Sequence, residues 1–342
     1  MRLLDSTLYN ADLKKAVGSI NFSLLDGKSF FVTGGLGLIA STIVDMLLTY
    51  GKTGIIYIGA RNKAHFEKRY GNLEKVRFVS YDALKPLKLE IVPEYIIHGA
   101  GLASPELYTE MPVETILSNI DGIHELLHFA KNNPVERVLY ISSSEVYGKK
   151  CTEEPFVEDK YGEVDIDNIR SSYAVAKRAS EMICKAYTSE YEVDTVIVRP
   201  GHIFGPSAKK DDKRISSDFA FKAAMGKKLE MKSAGLQKRS YCYSIDCAVQ
   251  ILTVLLKGKS GQAYNIGHDE ITTIREMAEI CAEAGNVELT MKHPTEAELK
   301  AFNPMNNSAL DNTRVKKLGY SDVFSTKNGI IHTVDILKEI NS

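Results

Sequence analysis

The 342-residue sequence predicts a doubly wound parallel α/β sheet followed by a smaller second region. Three observations predict it: six short apolar runs recur through the first 200 residues, stretches of helical period separate them, and the first run leads straight into a glycine-rich turn. Strands buried on both faces read as continuous apolar runs, and their alternation with helices is the pattern of a parallel sheet covered on both sides.

Residues 1–27 read as an added helix or arm. SFFVT (29–33) is the first strand, and residues 37–50 carry the helix after it. GIIYIGA (54–60), VRFVSYD (76–82) and YIIHGAG (95–101) are the next three strands. A helical pattern near 112–132 precedes RVLYISSS (137–144), and one near 169–191 precedes DTVIVRP (194–200). The chain therefore divides near 200–206, into a first domain over 28–203 and a second region over 204–342. In that second region AKKDDKR (208–214) leads into a helix-like segment, and AYNIG (263–267) reads as one more strand, so 263–282 returns to the first domain. NPMNN (303–307) reads as a loop.

Lys+Arg 43 against Asp+Glu 44 gives a net charge of -1, which removes the basic excess that nucleic acid or an anionic membrane would need. No 18-residue apolar run is present to span a membrane. Five cysteines, Cys151, Cys184, Cys242, Cys247 and Cys281, form no CxxC pair and suit a reducing compartment. The first 28 residues carry Arg2, Asp5, Asp12, Lys14 and Lys15 without the apolar core of a signal peptide, so a cytoplasmic chain is expected.

After the first strand comes TGGLGLIA (33–40), where glycines permit a tight turn and bring backbone N–H groups close to a pyrophosphate at a helix N-terminus. Gly34, Gly37, Leu38 and Ile39 are the candidate contacts, in the setting of a Rossmann domain. NAD is the expected cofactor. Arg61, at the end of strand two where an acid usually holds the ribose, leaves NADP open, and serves equally as an exposed loop arginine. Asp82, ending strand three, is a candidate for the adenine ring or a turn cap.

Tyr173 and Lys177 in YAVAK are four apart on a predicted helix, hence on one face, where an ammonium can lower the phenol pKa and make a usable base. Ser143 in ISSSEVYG (141–148) ends strand five at the carboxyl edge of the sheet and can hydrogen-bond a substrate hydroxyl. YDALK (81–85) repeats the spacing but straddles a strand end and a proline. HELLH (124–128) matches a zinc motif without an identifiable third ligand, so no metal is expected, and GKT (51–53) lacks the upstream glycine of a phosphate loop.

Taken together, TGGLGLIA, HGAGLAS (98–104), Ser143, YAVAK and RPGHIFGP (199–206) resemble the extended short-chain dehydrogenase/reductases that act on nucleotide sugars, the NAD-dependent epimerase/dehydratase family, over roughly 28–320. Within it, ASPELYTEMP (103–112), SSEVYG, EDKYGEV…RSSYAVAKR (158–178), KRISSDF (213–219) and QKRSYCYSID (237–246) resemble the UDP-glucuronate decarboxylases. The resemblance implies a nucleotide-sugar substrate and a homodimer formed through two helices of each subunit, in polysaccharide biosynthesis. It implies that Ala100 and Asn119 stand beside the cofactor, and that Ser104, Tyr108, His202 and Arg214 contact substrate. It gives Ser144 and Glu145 the carboxylate and the proton at C5, and Arg239 either that carboxylate or the diphosphate. Dehydratases of this family carry an Asp-Glu pair where this chain has Ser144-Glu145, which favours decarboxylation; a 4-epimerase, a 4,6-dehydratase and a non-catalytic cofactor sensor are the alternatives. His202 and Asp218 replace asparagines of the decarboxylase pattern.

Overall fold

The computed structural model describes residues 1–71, 73–104, 106–150, 152–292 and 307–342. Cys151 and residues 303–306 of the NPMNN segment lie outside them. The chain opens with α1 (Thr7–Val17) and then enters β1 (Phe30–Thr33), α2 (Leu38–Tyr50), β2 (Ile56–Ala60), α3 (Lys63–Tyr70), β3 (Val76–Ser80) and β4 (Tyr95–His98). The short α4 (Leu107–Glu110) precedes α5 (Pro112–Asn132), β5 (Arg137–Ile141), α6 (Ser172–Tyr191) and β6 (Thr195–Pro200). These six strands and a later one, Ala263–Ile266, form one parallel sheet in the order β3-β2-β1-β4-β5-β6 and then Ala263–Ile266.

Alternate residues of each strand feed two separate cores, which explains why the strands are apolar throughout. Phe30, Val32, Ile97, Leu139, Val196 and Val198 join the layer of α2, whereas Phe31, Ile96, Val138, Tyr140 and Ile197 join the layer of α5 and α6. The chain order reverses between β1 and β4, so their C-terminal ends diverge into a crevice where ligands of open α/β sheets bind.

Beyond β6, α7 (Ile215–Ala224), α9 (Ile274–Gly285) and the C-terminal helix Thr326–Asn341 pack on one another, while α8 (Ser244–Lys257) packs against α2. Short pairings surround them: His202–Phe204 with Tyr241–Tyr243, Leu229–Met231 with Leu289–Met291, and Lys238–Arg239 with Thr272–Thr273. The N-terminal segment folds as a helix capped by Ser6, whose hydroxyl accepts the Tyr9 N–H at 3.1 Å. On α1 the Tyr9 hydroxyl donates to Asp45 of α2 at 2.8 Å, and Asp12 accepts the Tyr243 hydroxyl at 3.0 Å. Among the described residues no helix is long and apolar enough to cross a membrane.

Candidate active site

The glycine turn occupies the crevice. Gly34 adopts φ +67°, and a Cβ there would stand 2.7 Å from Gly99 O and 2.9 Å from Ala100 N, so the loops after β1 and β4 touch backbone to backbone. Gly37 begins α2 with no side-chain cap, which leaves the helix's first turn, Leu38 and Ile39 included, to meet a ligand with its N–H groups. Ala100 N–H is tied to Thr33 Oγ1 at 3.2 Å. Asn119 binds Thr115 O and Leu102 O through Nδ2, yet its buried Oδ1 has no hydrogen-bond partner and lies against Gly101. A backbone cradle, an uncapped helix start and an unpartnered buried acceptor fit a dinucleotide. Arg61 is exposed just past β2, and Asp82 is half-buried past β3, accepting the Leu84 N–H at 3.2 Å as a turn residue does.

Tyr173 enters from the second residue of α6, buried beside the end of β5. Its ring stacks on Tyr108 at 4.3 Å between centroids and 8° between planes. Ser172, the residue before it, donates to Tyr108 O at 3.0 Å and fastens α4 to α6. Lys177, one turn on, donates to Ile141 O at 2.8 Å and lies 5.7 Å from the Tyr173 ring centroid. Ser143 caps the turn Ser144–Tyr147 by accepting the Glu145 N–H at 3.2 Å.

The helical spacing predicts a phenol made acidic by its lysine, but burial outweighs that effect. Burial pushes Tyr173 up to about 12, the charge of Glu145 adds to the rise, and the Ser143 and Tyr108 hydroxyls and Arg214 oppose it. Burial likewise pushes Lys177 down to about 7, with Glu181 opposing. Glu181 is held in turn by the fully buried Arg199, through Nε at 2.9 Å and Nη2 at 2.6 Å, and by the Ser142 hydroxyl at 2.6 Å. Ser142 immediately precedes Ser143, so this ion pair anchors the strand end that carries the site.

Glu145 is half-buried, with its carboxylate 3.6 Å from the Arg170 guanidinium. Arg170 also lies 6.0 Å from the centroid of the Tyr108 ring. Sequence reasoning included this arginine only as the first residue of RSSYAVAKR and gave it no role, because nothing near it in the chain shows that it meets Glu145.

His202, Arg214 and Arg239 form one neighbourhood, from which Arg214 also acts on Tyr173 and Arg239 interacts with Glu145. Burial, then the charges of Arg239 and Arg214, push His202 down to about 3, so its ring is neutral at physiological pH. Its Nε2 is 2.9 Å from Ser308 Oγ, a residue the sequence did not single out. Arg239 is buried and donates from Nη1 to Lys238 O at 2.8 Å. Arg214 is exposed, its Nε donating to both Asp212 oxygens at 3.0 Å. Ser104 lies exposed on the loop before Tyr108, and Asp218 pairs with Lys222 at 2.7 Å on α7. Of the motifs set aside, His124 and His128 lie exposed on α5, and Gly51 of GKT is the left-handed C-cap of α2. Residues 81–85 form a turn in which Lys85 N–H bonds Asp82 O at 3.0 Å, so Tyr81 and Lys85 share no helical face.

The model of the NAD dependent epimerase/dehydratase family matches residues 30–267. UDP-glucuronic acid decarboxylase 6 of Arabidopsis thaliana is 33% identical over 255 residues, 74% of this chain and 73% of that one. UDP-glucuronic acid decarboxylase 1 of Danio rerio is 31% identical over 257 residues, covering 75% and 60%. Among solved structures, the UDP-glucose 4-epimerase of Thermotoga maritima aligns with a TM-score of 0.78 at 22% identity, over 92% of this chain and all of the other. The UDP-glucuronic acid 4-epimerase of Bacillus cereus, in complex with UDP-glucuronic acid and NAD, aligns at 0.76 and 20% identity over 91% and 99%. At that identity the structures speak to the fold.

Proposed function

This chain belongs to the NAD-dependent epimerase/dehydratase family, and from that premise we propose that it decarboxylates UDP-glucuronate, or a close relative of it, to the corresponding pentose nucleotide. The observation that carries the reading is Glu145, set beside the Tyr173–Ser143 pair and against Arg170 in a chain about one-third identical to UDP-glucuronic acid decarboxylases. Gly34, Gly37, Leu38, Ile39, Ala100, Asp82 and Asn119 would hold NAD, with Tyr173 and Lys177 facing its nicotinamide end and Arg61 near its ribose. The cofactor domain would be residues 28–203 with the returning segment 263–282, supported by the pairing of Ala263–Ile266 with β6, and substrate would be held mainly by the rest of 204–342.

When bound, NAD supplies a reversible store for two electrons from sugar C4. Tyr173, which would act as the phenolate once the positive charge of bound NAD offsets the burial that raises its pKa, takes the proton of the C4 hydroxyl while Ser143 holds its oxygen. With C4 as a ketone, the C5–C6 bond breaks, CO2 leaves, and the bonding pair remains as an enolate across C4 and C5. Glu145, aided by Ser144, delivers a proton to C5, and Tyr173 returns its proton to O4 as C4 is reduced. The balance is one carboxylate and one proton in, one CO2 and a C5–H bond out, with no net redox. His202, Arg214 and Arg239 would hold the diphosphate, since the two arginines provide the charges felt at His202.

The homodimer is supported by the outward faces of α5 and α6, which expose Val113, Leu117, Val175 and Met182. A cytoplasmic setting accords with the cysteines, four of which are free and buried.

Incubation with NAD and UDP-glucuronate under mass detection tests the activity. Loss of CO2 is expected, and Tyr173→Phe should lower kcat by about 10²–10⁴-fold. A product of unchanged mass would identify an epimerase instead, and loss of water a dehydratase.

A further inference from the structure

We propose that Arg170 is the residue that receives the substrate's carboxylate and that Glu145 occupies its guanidinium until that carboxylate arrives; this rests on the uronate reading above. The backbone that presents Arg170 is held firmly. Asn168 Oδ1 accepts the Arg170 N–H at 3.0 Å, Ser171 N–H bonds Asn168 O at 2.8 Å, and the Ser172 hydroxyl donates to Tyr108 O at 3.0 Å. The side chain is held loosely by comparison. It is 46% exposed, and among the described residues it pairs with Glu145 at 3.6 Å, too long for a direct hydrogen bond.

The other cations around the site are engaged more closely. Lys177 donates to Ile141 O at 2.8 Å, Arg214 grips Asp212 through Nε at 3.0 Å, and the buried Arg239 bonds Lys238 O at 2.8 Å beside His202. Arg170 alone among these four combines exposure, a planar fork of donors and a direct approach to Glu145. A guanidinium of that kind binds a carboxylate through two parallel hydrogen bonds, a better geometry than Glu145 achieves. Without it, a uronate would bring a second negative charge against Glu145. Seating the substrate's carboxylate on Arg170 thus relieves that repulsion and frees Glu145 to move a proton. Tyr108, stacked on Tyr173 and lying under Arg170, sets the distance between this contact and the phenol.

The test uses the NAD-saturated enzyme and calorimetric titration of UDP, UDP-glucose and UDP-glucuronate into wild type, Arg170→Met and Arg170→Lys. Wild type should bind UDP-glucuronate more tightly than UDP-glucose. Arg170→Met should weaken UDP-glucuronate by about 10- to 100-fold while changing UDP and UDP-glucose by less than about threefold. Arg170→Lys, which keeps the charge but not the fork, should recover part of the loss. If wild type shows no preference for the uronate, the functional reading falls and this inference with it. If wild type prefers and decarboxylates UDP-glucuronate but Arg170→Met keeps the preference, only the assignment of Arg170 is overturned. Equal weakening of all three ligands also overturns it, because it marks a structural role.

Discussion

At Lys177, burial and neighbouring charge act in opposite directions on one side chain. Burial pushes its pKa down to about 7 from the 10.5 of an exposed lysine, and Glu181 works against the fall. Between those values the unfolded chain holds a proton that the folded chain has released, so stability rises with pH across that window. The thermal midpoint of wild type should therefore climb by a few °C relative to Lys177→Met from about pH 7 to about pH 10.5. A gap that stays constant over the window would show that the lysine is not desolvated. The pairing of Tyr173 with Lys177 was legible because residues four apart share a helix face. The height of the Tyr173 pKa was not, because it is set by what α4 and β5 pack around the phenol.

The glycine turn is the element that local sequence describes best. Its first strand, expected over 29–33, is observed over Phe30–Thr33, and the helix expected over 37–50 runs Leu38–Tyr50. A positive φ and a backbone contact in the same place make Gly34 irreplaceable. Gly34→Ala should cost about 1–3 kcal/mol in a denaturant titration and weaken NAD binding more than tenfold. Unchanged NAD affinity in the variant would argue against the cradle. The helix expected near 169–191 begins instead as a 3-10 turn, Ile169–Ser171, before α6. Asn168 and Ser171 impose that tighter start through local side-chain and backbone bonds, and the change of pitch aims Arg170 at Glu145 rather than along the helix.

For the molecule as a whole, the proposed dimer would form through the exposed face of α5 and α6. Leu117 and Met182 are 43% and 65% exposed on two long helices that pack side by side. A dimer through this face predicts twice the 38.0 kDa chain mass in light scattering, and Leu117→Glu with Met182→Glu should return the monomer. A monomeric wild type would overturn the dimer. The N-terminal helix, whose role the sequence did not reveal, joins distant parts of the fold. Asp12 meets Tyr243 at 3.0 Å and His332 at 2.9 Å, and Tyr9 meets Asp45 on α2 at 2.8 Å. These partners lie up to 320 residues away in the chain, beyond any local pattern.

Strand positions, the glycine turn and the Tyr173–Lys177 spacing follow from the sequence itself, because each is written in residues a few positions apart, and the alternation of those strands with helices gives the fold class. The tertiary structure alone decided that Arg170 faces Glu145, that Tyr108 stacks on Tyr173, and that His202 shares its surroundings with Arg214 and Arg239. Those relations depend on desolvation and on distances between segments brought together by the sheet, and spacing along the chain specifies neither.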